Sequence, residues 1–384
     1  MAWLVVKWPQ VEMKEAILEE IAMYSPSKIL AWIRENVEVM RLSRAKTLAA
    51  IVSAAVVLKG VGVLALGRSM QGEVAAKHCI KRVWRFLRNQ QLETEAVFSG
   101  LFHFLRPARG RVLVLADWTS LTPFQQLVLS LPRDGRSLPF LAITVPQGSS
   151  EKEQQGHMKA AEQRALEMLA RMCGSEIKPV ILADRGFGHP RWLADIRRRG
   201  WDFVQRVPKH HQVWVEHYAG VLRDLGIRRG WRPRDWGWGT MNEQDFGPVR
   251  LVTVFEREAE EPWYLVTSLE AETPANVVRL YKRRMWIEAM FRDLKNRDWG
   301  MGLDQVRLSE PERHDRHFAI LALAYLWLFA FGALAERQGL AKRFKANTRA
   351  ERVITLVRTG YYYLFHHNMA PPEHAFAAVQ ALPT

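Results

Sequence analysis

Four residues in one short stretch have types and spacing that could do chemistry. Tyr281, Arg284, Glu288 and Lys295 follow one another at intervals of three, four and seven positions. At about 100° per residue, these intervals return the side chains to within about 60° of one another on an α-helix. One ridge would then carry a phenol, a guanidinium, a carboxylate and an ammonium, beside an apolar stripe of Ile287, Phe291 and Leu294. Six basic residues stand against two acidic ones across 281–297, an excess that suits a polyanion. The carboxylate within that ridge needs a reason, and two aspartates upstream offer one. Asp117 closes the apolar run Val112–Ala116, and Asp184 closes Pro179–Ala183. Taken singly, a strand-end aspartate is a turn or cap residue and a charged ridge is a solvated helix face. Taken together, two aspartates and Glu288 make an all-oxygen ligand set for two Mg²⁺ ions. Such a pair of ions can activate an attacking oxygen and stabilise the leaving one in phosphodiester displacement, with the basic neighbours holding phosphates.

The elements that must position these residues can be read in order. Val112–Ala116, Phe124–Leu131 and Leu138–Val145 read as three strands in a meander, the last two separated by the turn-rich Pro132-Arg133-Asp134-Gly135. A helix over Gln155–Met172 leads to the strand Pro179–Ala183, and a helix over Pro190–Arg199 leads to the strand Asp202–Val207. The meander pairs antiparallel, and the later strand joins beside the first through a helical crossover, which sets Asp117 and Asp184 on neighbouring strands. Residues 208–262, rich in Gly, Arg and Trp, read as an inserted β-rich block, with strand-like runs such as Val249–Phe255. Tyr264–Ser268 returns to a strand. Thr273 then caps a helix with Pro274 at its first position, and one continuous helix is expected to carry the ridge.

Residues 1–100 read as helical over Glu12–Met23, Ser27–Val39 and 45–66, with Gly60, Gly62 and Gly67 as break points. Lys77–Arg88 is two-faced: Ile80, Trp84 and Leu87 on one stripe, Lys77, Lys81, Arg85 and Arg88 on another, either a DNA-backbone contact or a solvated face. The chain is helical again to Arg358, and the tail from Tyr361 reads as irregular.

A chain of 384 residues with 48% apolar and 25% charged content is an ordinary globular protein with room for more than one domain. Its net charge of +15 favours nucleic acid or an anionic membrane as partner. Two distant cysteines, Cys79 and Cys173, argue against a disulfide framework and fit a reducing cytoplasm. The apolar run at the N-terminus is too short for a secretory signal peptide. Phe318–Ala335 holds 18 residues without a charge, at the lower edge of a membrane span, but Ala-rich and interrupted by Gly332, so a buried core helix is expected. His314 and His317, and the pairs His210-His211 and His366-His367, lack further ligands at metal spacing and read as surface or core histidines. No glycine-rich phosphate loop is present.

The chain resembles the DDE transposases of bacterial insertion sequences, specifically the insertion-sequence-four type with its Tyr-Arg-Glu-Lys signature. The resemblance runs over about residues 110–340. It rests on Asp117-Trp118-Thr119, on Asp184-Arg185-Gly186-Phe187 followed by Phe203-Val204-Gln205-Arg206-Val207, and on Tyr281, Arg284, Glu288 and Lys295 at every spacing. It implies an α/β, RNase H-like mixed-sheet catalytic core (106–207 and 263–340), interrupted by a β-rich insertion (208–262). A helical DNA-binding region (1–105) and a helical C-terminal region with its tail (341–384) flank it. It implies a Mg-dependent DNA transposase that cuts and joins strands at inverted-repeat ends by cut and paste through a hairpin. Asp117, Asp184 and Glu288 would hold two Mg²⁺ ions, with Mn²⁺ a substitute. Tyr281, Arg284, Lys295 and Arg206 would position phosphates. Trp214, Trp231, Trp236 and Trp238 are candidates to stack a flipped base. The implied partners are double-stranded DNA, as transposon ends and as target, and a second copy in a synaptic homodimer. No membrane is implied, and the setting is a bacterial cytoplasm, nucleoid-associated. The alternative is a catalytically idle DNA-binding protein derived from a transposase, against which the three carboxylates argue.

Overall fold

A computed structural model describes residues 25–70, 74–242, 246–296, 300–344, 354–366 and 372–383. The helix expected over Glu12–Met23 and the residue His367 lie outside the described residues. The chain divides into two compact units. One takes the described residues up to Gly100 with Asp293–Arg307 and Arg316–Leu382; the other takes Leu101–Arg292, Leu308–Asp315 and Pro383.

The second unit is built on strands. β1 (Gly110–Leu121), β2 (Phe124–Arg133) and β3 (Arg136–Pro146) form the meander, and α6 (Glu151–Cys173) crosses to β4 (Ile177–Ala183). α7 (Pro190–Arg198) then crosses to β5 (Asp202–Arg206). β1 pairs antiparallel with β2 and parallel with β4, and β4 pairs parallel with β5. Four more strands follow: β6 (Gln212–Val215), β7 (Tyr218–Val221), β8 (Arg234–Met241) and β9 (Phe246–Val254). β10 (Trp263–Thr267) returns to pair with both β5 and β9. The strands of 212–254 therefore continue one ten-stranded mixed sheet, in the order β3-β2-β1-β4-β5-β10-β9-β8-β6-β7. This is the α/β, RNase H-like arrangement that the resemblance implies. The near-continuous burial of β1, β2, β3 and β4 explains why they appear in the sequence as unbroken apolar runs.

β1 does not stop at Asp117 but runs four residues further, because Trp118 to Leu121 pair with Phe124 to Leu127 of β2. The expected single helix over the ridge is also corrected. α8 (Pro274–Lys282), capped by Thr273 as expected, stops before Arg283, and α9 (Met285–Lys295) begins two residues later. The joint is made of i→i+3 bonds: Arg283 and Arg284 N–H donate to the carbonyls of Leu280 and Tyr281 at 3.0 and 2.9 Å. A short 3₁₀ turn preserves a three-residue spacing while changing the direction of the backbone, so the periodicity runs across the joint undisturbed.

The first unit is helical: α1 (Pro26–Asn36), α2 (Leu42–Leu58), α3 (Val63–Ser69), α4 (Ala76–Arg88) and the start of α5 (Thr94–Leu105). Gly67 is not a break point. It lies inside α3, where a Cβ would come within 2.5 Å of the Ile80 backbone, so it permits α3 and α4 to cross closely. On α4 the side chains of Val83, Phe86 and Leu87 are buried, while Lys77, Lys81, Arg85 and Arg88 are exposed. α10 (Pro311–Arg337) holds Phe318–Ala335 buried along its whole length, the core helix expected. His314 and His317 are core histidines, with His317 Nε2 against the Val61 carbonyl at 2.7 Å.

The tail is more ordered than its sequence suggests. α11 (Leu356–His366) and α12 (Pro372–Gln380) are helices, the latter placing Ala375, Ala378 and Val379 in the core. Phe376 meets Trp327 of α10 edge-on at 4.9 Å, and this packing stabilises a helix too short to hold by itself.

Candidate active site

The register of the central strands brings the two aspartates together. Ala116 pairs with Ala183, so the next residue on each chain, Asp117 on β1 and Asp184 just past β4, lies at the same level of adjacent parallel strands. Asp117 is buried; its Oδ1 accepts the Trp118 N–H at 2.9 Å, and its Oδ2 accepts from Arg284 Nη2 at 2.9 Å. Asp184 Oδ1 accepts the Gly186 N–H at 2.8 Å, capping a 3₁₀ turn over Arg185–Phe187, and its Oδ2 stands 3.6 Å from Arg284 Nη2. The Gln205 amide on β5 donates to the Asp184 carbonyl, fixing the end of β4 from its other neighbour. Glu288, in the first turn of α9, takes the Nη1 side of the same guanidinium.

Arg284 is thus the point on which all three carboxylates converge. Its position at the 3₁₀ joint, ahead of the first turn of α9, is what aims it at both strand ends. Burial alone would lower its pKa, but Asp117, Tyr281, Asp184 and Glu288 outweigh that and hold it raised. Burial pushes Asp117 up to about 6; Arg284 opposes the rise, and the charges of Asp184 and Glu288 add to it. Among the described residues no three His, Cys, Asp or Glu side chains stand together at metal-holding range. The donor set nevertheless fits a hard divalent cation: three carboxylates gather around one positive charge, with Asp184 and Glu288 side chains 34% and 42% exposed.

The other residues of the ridge take different places. Tyr281 is buried and meets Trp263 edge-on at 5.2 Å, and burial raises its phenol pKa against the pull of Arg284 and Arg206. Lys295 ends α9 half-buried, its pKa lowered by burial and supported by Asp304. Arg206 ends β5 and is paired with Glu261, which also holds Arg185 at 3.0 Å. Arg185 and Arg206 line a cavity of about 320 Å³ with Lys209, Arg223, Phe255 and Tyr264.

Residues 129–327 match the family model of the transposase DDE domain. The chain belongs to that family. Asp184, Tyr281, Arg284, Glu288 and Lys295 of the DDE chain fall within the matched stretch, and Asp117 lies just before it. Membership makes the chain a transposase, an enzyme acting on DNA, in a family that generally uses divalent metal ions. No match is found among curated proteins.

Of the four tryptophans proposed for stacking, Trp236 is a core residue that donates to Thr253 Oγ1 at 2.8 Å. Trp214 and Trp231 are exposed, at 42% and 38%. Two residues that sequence reasoning missed stand behind Asp117 and Asp184. Glu162, buried on α6, accepts from Trp118 Nε1 at 3.2 Å through Oε1 and from His189 Nε2 at 2.9 Å through Oε2. The one available signal was local: His189 precedes Pro190 at the start of a helix, the position of a cap.

Proposed function

We propose that the protein is a DNA transposase of the insertion-sequence-four type that cuts and joins phosphodiester bonds at the inverted-repeat ends of its element. The observation that carries this reading is the convergence of Asp117, Asp184 and Glu288 on the single buried cation of Arg284. Three carboxylates drawn from within one strand, from just past the end of its neighbour and from a helix suit two Mg²⁺ ions, or Mn²⁺ in their place. When bound, such ions supply activation of the attacking oxygen and stabilisation of the leaving one. Asp117, Asp184 and Glu288 are the residues to hold them. Arg284 pairs with the carboxylates, and we assign it to a phosphate oxygen once metal ions take them over. Tyr281, Arg206 and Lys295 are the further residues proposed to position phosphates.

The exposed rings of Trp214 and Trp231 support a hairpin pathway, because an aromatic face receives an unstacked base without regard to sequence. The helical residues up to 105, with the exposed cations Lys77, Lys81, Arg82, Arg85 and Arg88 of α4, are the part suited to binding the element's ends. Cutting two ends in concert calls for a homodimer in the synaptic complex, and such a protein works at the nucleoid.

The test uses the full-length protein and a duplex carrying the element's end, with Mg²⁺ or with EDTA. The expected outcome is metal-dependent nicking or hairpin formation, abolished by Asp117→Ala, Asp184→Ala or Glu288→Ala with DNA binding retained. Cleavage that persists in all three variants refutes the assignment.

A further inference from the structure

We propose that Glu162 and His189 are positioning residues of the active site, a proposal that rests on Asp117, Asp184 and Glu288 being the metal-holding carboxylates. The Glu162 carboxylate stands between the two aspartate-bearing segments and ties them together. On one side it accepts the indole N–H of Trp118, whose own backbone N–H donates to Asp117 Oδ1. On the other it accepts from His189, which ends the loop that Asp184 begins. That loop is a run of tight turns: Phe187 N–H donates to the Asp184 carbonyl at 3.1 Å, Gly188 N–H to that of Arg185 at 3.2 Å, and His189 N–H to that of Phe187 at 2.8 Å. Its far end is held at His189, beside the buried ring of Phe187, which meets Trp192 at 5.1 Å.

The chemistry of His189 sets its tautomer. Its Nδ1 accepts the Trp192 N–H at 3.2 Å as the cap of α7, so the ring proton sits on Nε2 and is donated to Glu162. One imidazole therefore does two separable things: it caps a helix through Nδ1, and it ties the Asp184 loop to α6 through Nε2. Two N–H donors from opposite sides occupy the two oxygens of Glu162, which leaves the carboxylate one orientation. Buried, and joined to both segments, it sets how far apart Asp117 and Asp184 can drift when Arg284 no longer holds them.

His189→Asn separates the two roles. Asparagine is among the best helix caps and can replace Nδ1 with its amide oxygen, but it has no atom in the place of Nε2. Glu162→Gln is the partner variant. Its amide has one oxygen to accept with, so either the Trp118 or the His189 N–H loses its acceptor and the tie between the two segments is cut on one side. The full-length protein is tested with three measurements. The first is thermal unfolding. The second is Tb³⁺ luminescence sensitised by tryptophan, with Asp117→Asn defining the site's share of the signal. The third is the Mg²⁺ dependence of end cleavage. The expected result for His189→Asn is an unchanged unfolding midpoint, with Tb³⁺ affinity lowered about tenfold or more and the Mg²⁺ midpoint raised to match. The double variant His189→Asn/Glu162→Gln should lose no more than the worse single one, as for residues acting as a unit.

Metal binding and cleavage equal to wild type in His189→Asn and Glu162→Gln overturn the proposal. So does a loss in His189→Asn that follows a matching loss of thermal stability, which would make the pair a packing feature. If the wild type itself neither binds Tb³⁺ at Asp117 nor cleaves, the reading of the carboxylates fails and takes this proposal with it. A wild type that does both, beside variants that match it, overturns the positioning role alone.

Discussion

Replacing Arg284 with alanine gives the sharpest check on the geometry of the site. The substitution leaves Asp117 buried, with Asp184 and Glu288 near it and no cation among them. Removing one partner of a buried pair costs about 3–5 kcal/mol. The side chains of Asp184 and Glu288 are reached by water, so each adds no more than about 1 kcal/mol, and the loss is dominated by Asp117 at about 3 kcal/mol. For a unit of this size, at about 2–4 °C per kcal/mol, the apo-protein's Tm should fall by about 6–12 °C at about pH 8.

The pH dependence identifies the cause. Asp117 titrates in the wild type at about 6, and losing Arg284 removes the influence that lowers it, so its pKa rises further in the variant. A protonated Asp117 needs no cation, so the deficit of Arg284→Ala is full above that raised pKa and shrinks as pH falls to the wild-type value of about 6, below which Asp117 is protonated in both proteins. Adding Asp117→Asn to Arg284→Ala should restore most of the lost stability at about pH 8. Excess Mg²⁺ should narrow the gap between variant and wild type, because a divalent cation takes the guanidinium's place. Circular dichroism melts in EDTA at about pH 8 and about pH 5 measure this directly. An unchanged Tm at the higher pH, or a deficit of equal size at both, refutes the view of Arg284 as the counter-charge of Asp117.

Three further outcomes are expected. His211, which burial and His210 lower to about 4, stays neutral in the folded protein while the unfolded chain takes up a proton near 6.5. Stability therefore falls as pH drops through that interval, and His211→Gln should flatten this part of an acid-denaturation curve. Gly332→Ala should destabilise, against the gain of about 1 kcal/mol that helix propensity gives. A Cβ there would lie 1.9 Å from the Leu356 carbonyl oxygen, so the Tm should drop, and an unchanged or raised Tm would show that α10 and α11 do not cross as described. Lys81→Ala/Arg85→Ala, on the exposed face of α4, should lower the slope of log binding constant against log salt for B-form DNA by about 1.8 if both contact phosphates. A slope equal to wild type makes that face merely solvated.

What could be read in the sequence divides along a physical line. Val112–Ala116 and Pro179–Ala183 were legible as strands because both faces are buried, and Thr273-Pro274 was legible as a helix start because capping is chemistry between near neighbours. The misreadings have equally local causes. Tyr281 and Arg284 keep a three-residue spacing that an α-helix and a 3₁₀ turn both satisfy, so the joint between α8 and α9 left no mark in the periodicity. Gly67 has the same identity whether it ends a helix or admits a neighbour, and only Ile80 of α4 decides between them. α12 owes its order to Phe376 against Trp327, a contact no window on the tail contains. Glu162 and His189 are 27 positions apart and meet only once α6 has crossed the sheet.

The same reasoning explains why the residue among the carboxylates is an arginine. Asp117 lies on one strand, Asp184 past the end of the next, and Glu288 on a helix, so the three approach the guanidinium from different directions. An ammonium is a compact point charge that satisfies one or two such partners well. A guanidinium presents five N–H groups in a rigid plane, and here one edge nitrogen serves both aspartates while the other serves Glu288. It also stays charged when buried, where a lysine would be driven toward neutrality by the desolvation that already lowers Lys295. Arg284 and the three carboxylates are therefore one electrostatic unit. Arg284 pairs with all three acids, one positive charge shared among three carboxylates, which leaves room for further cations beside them.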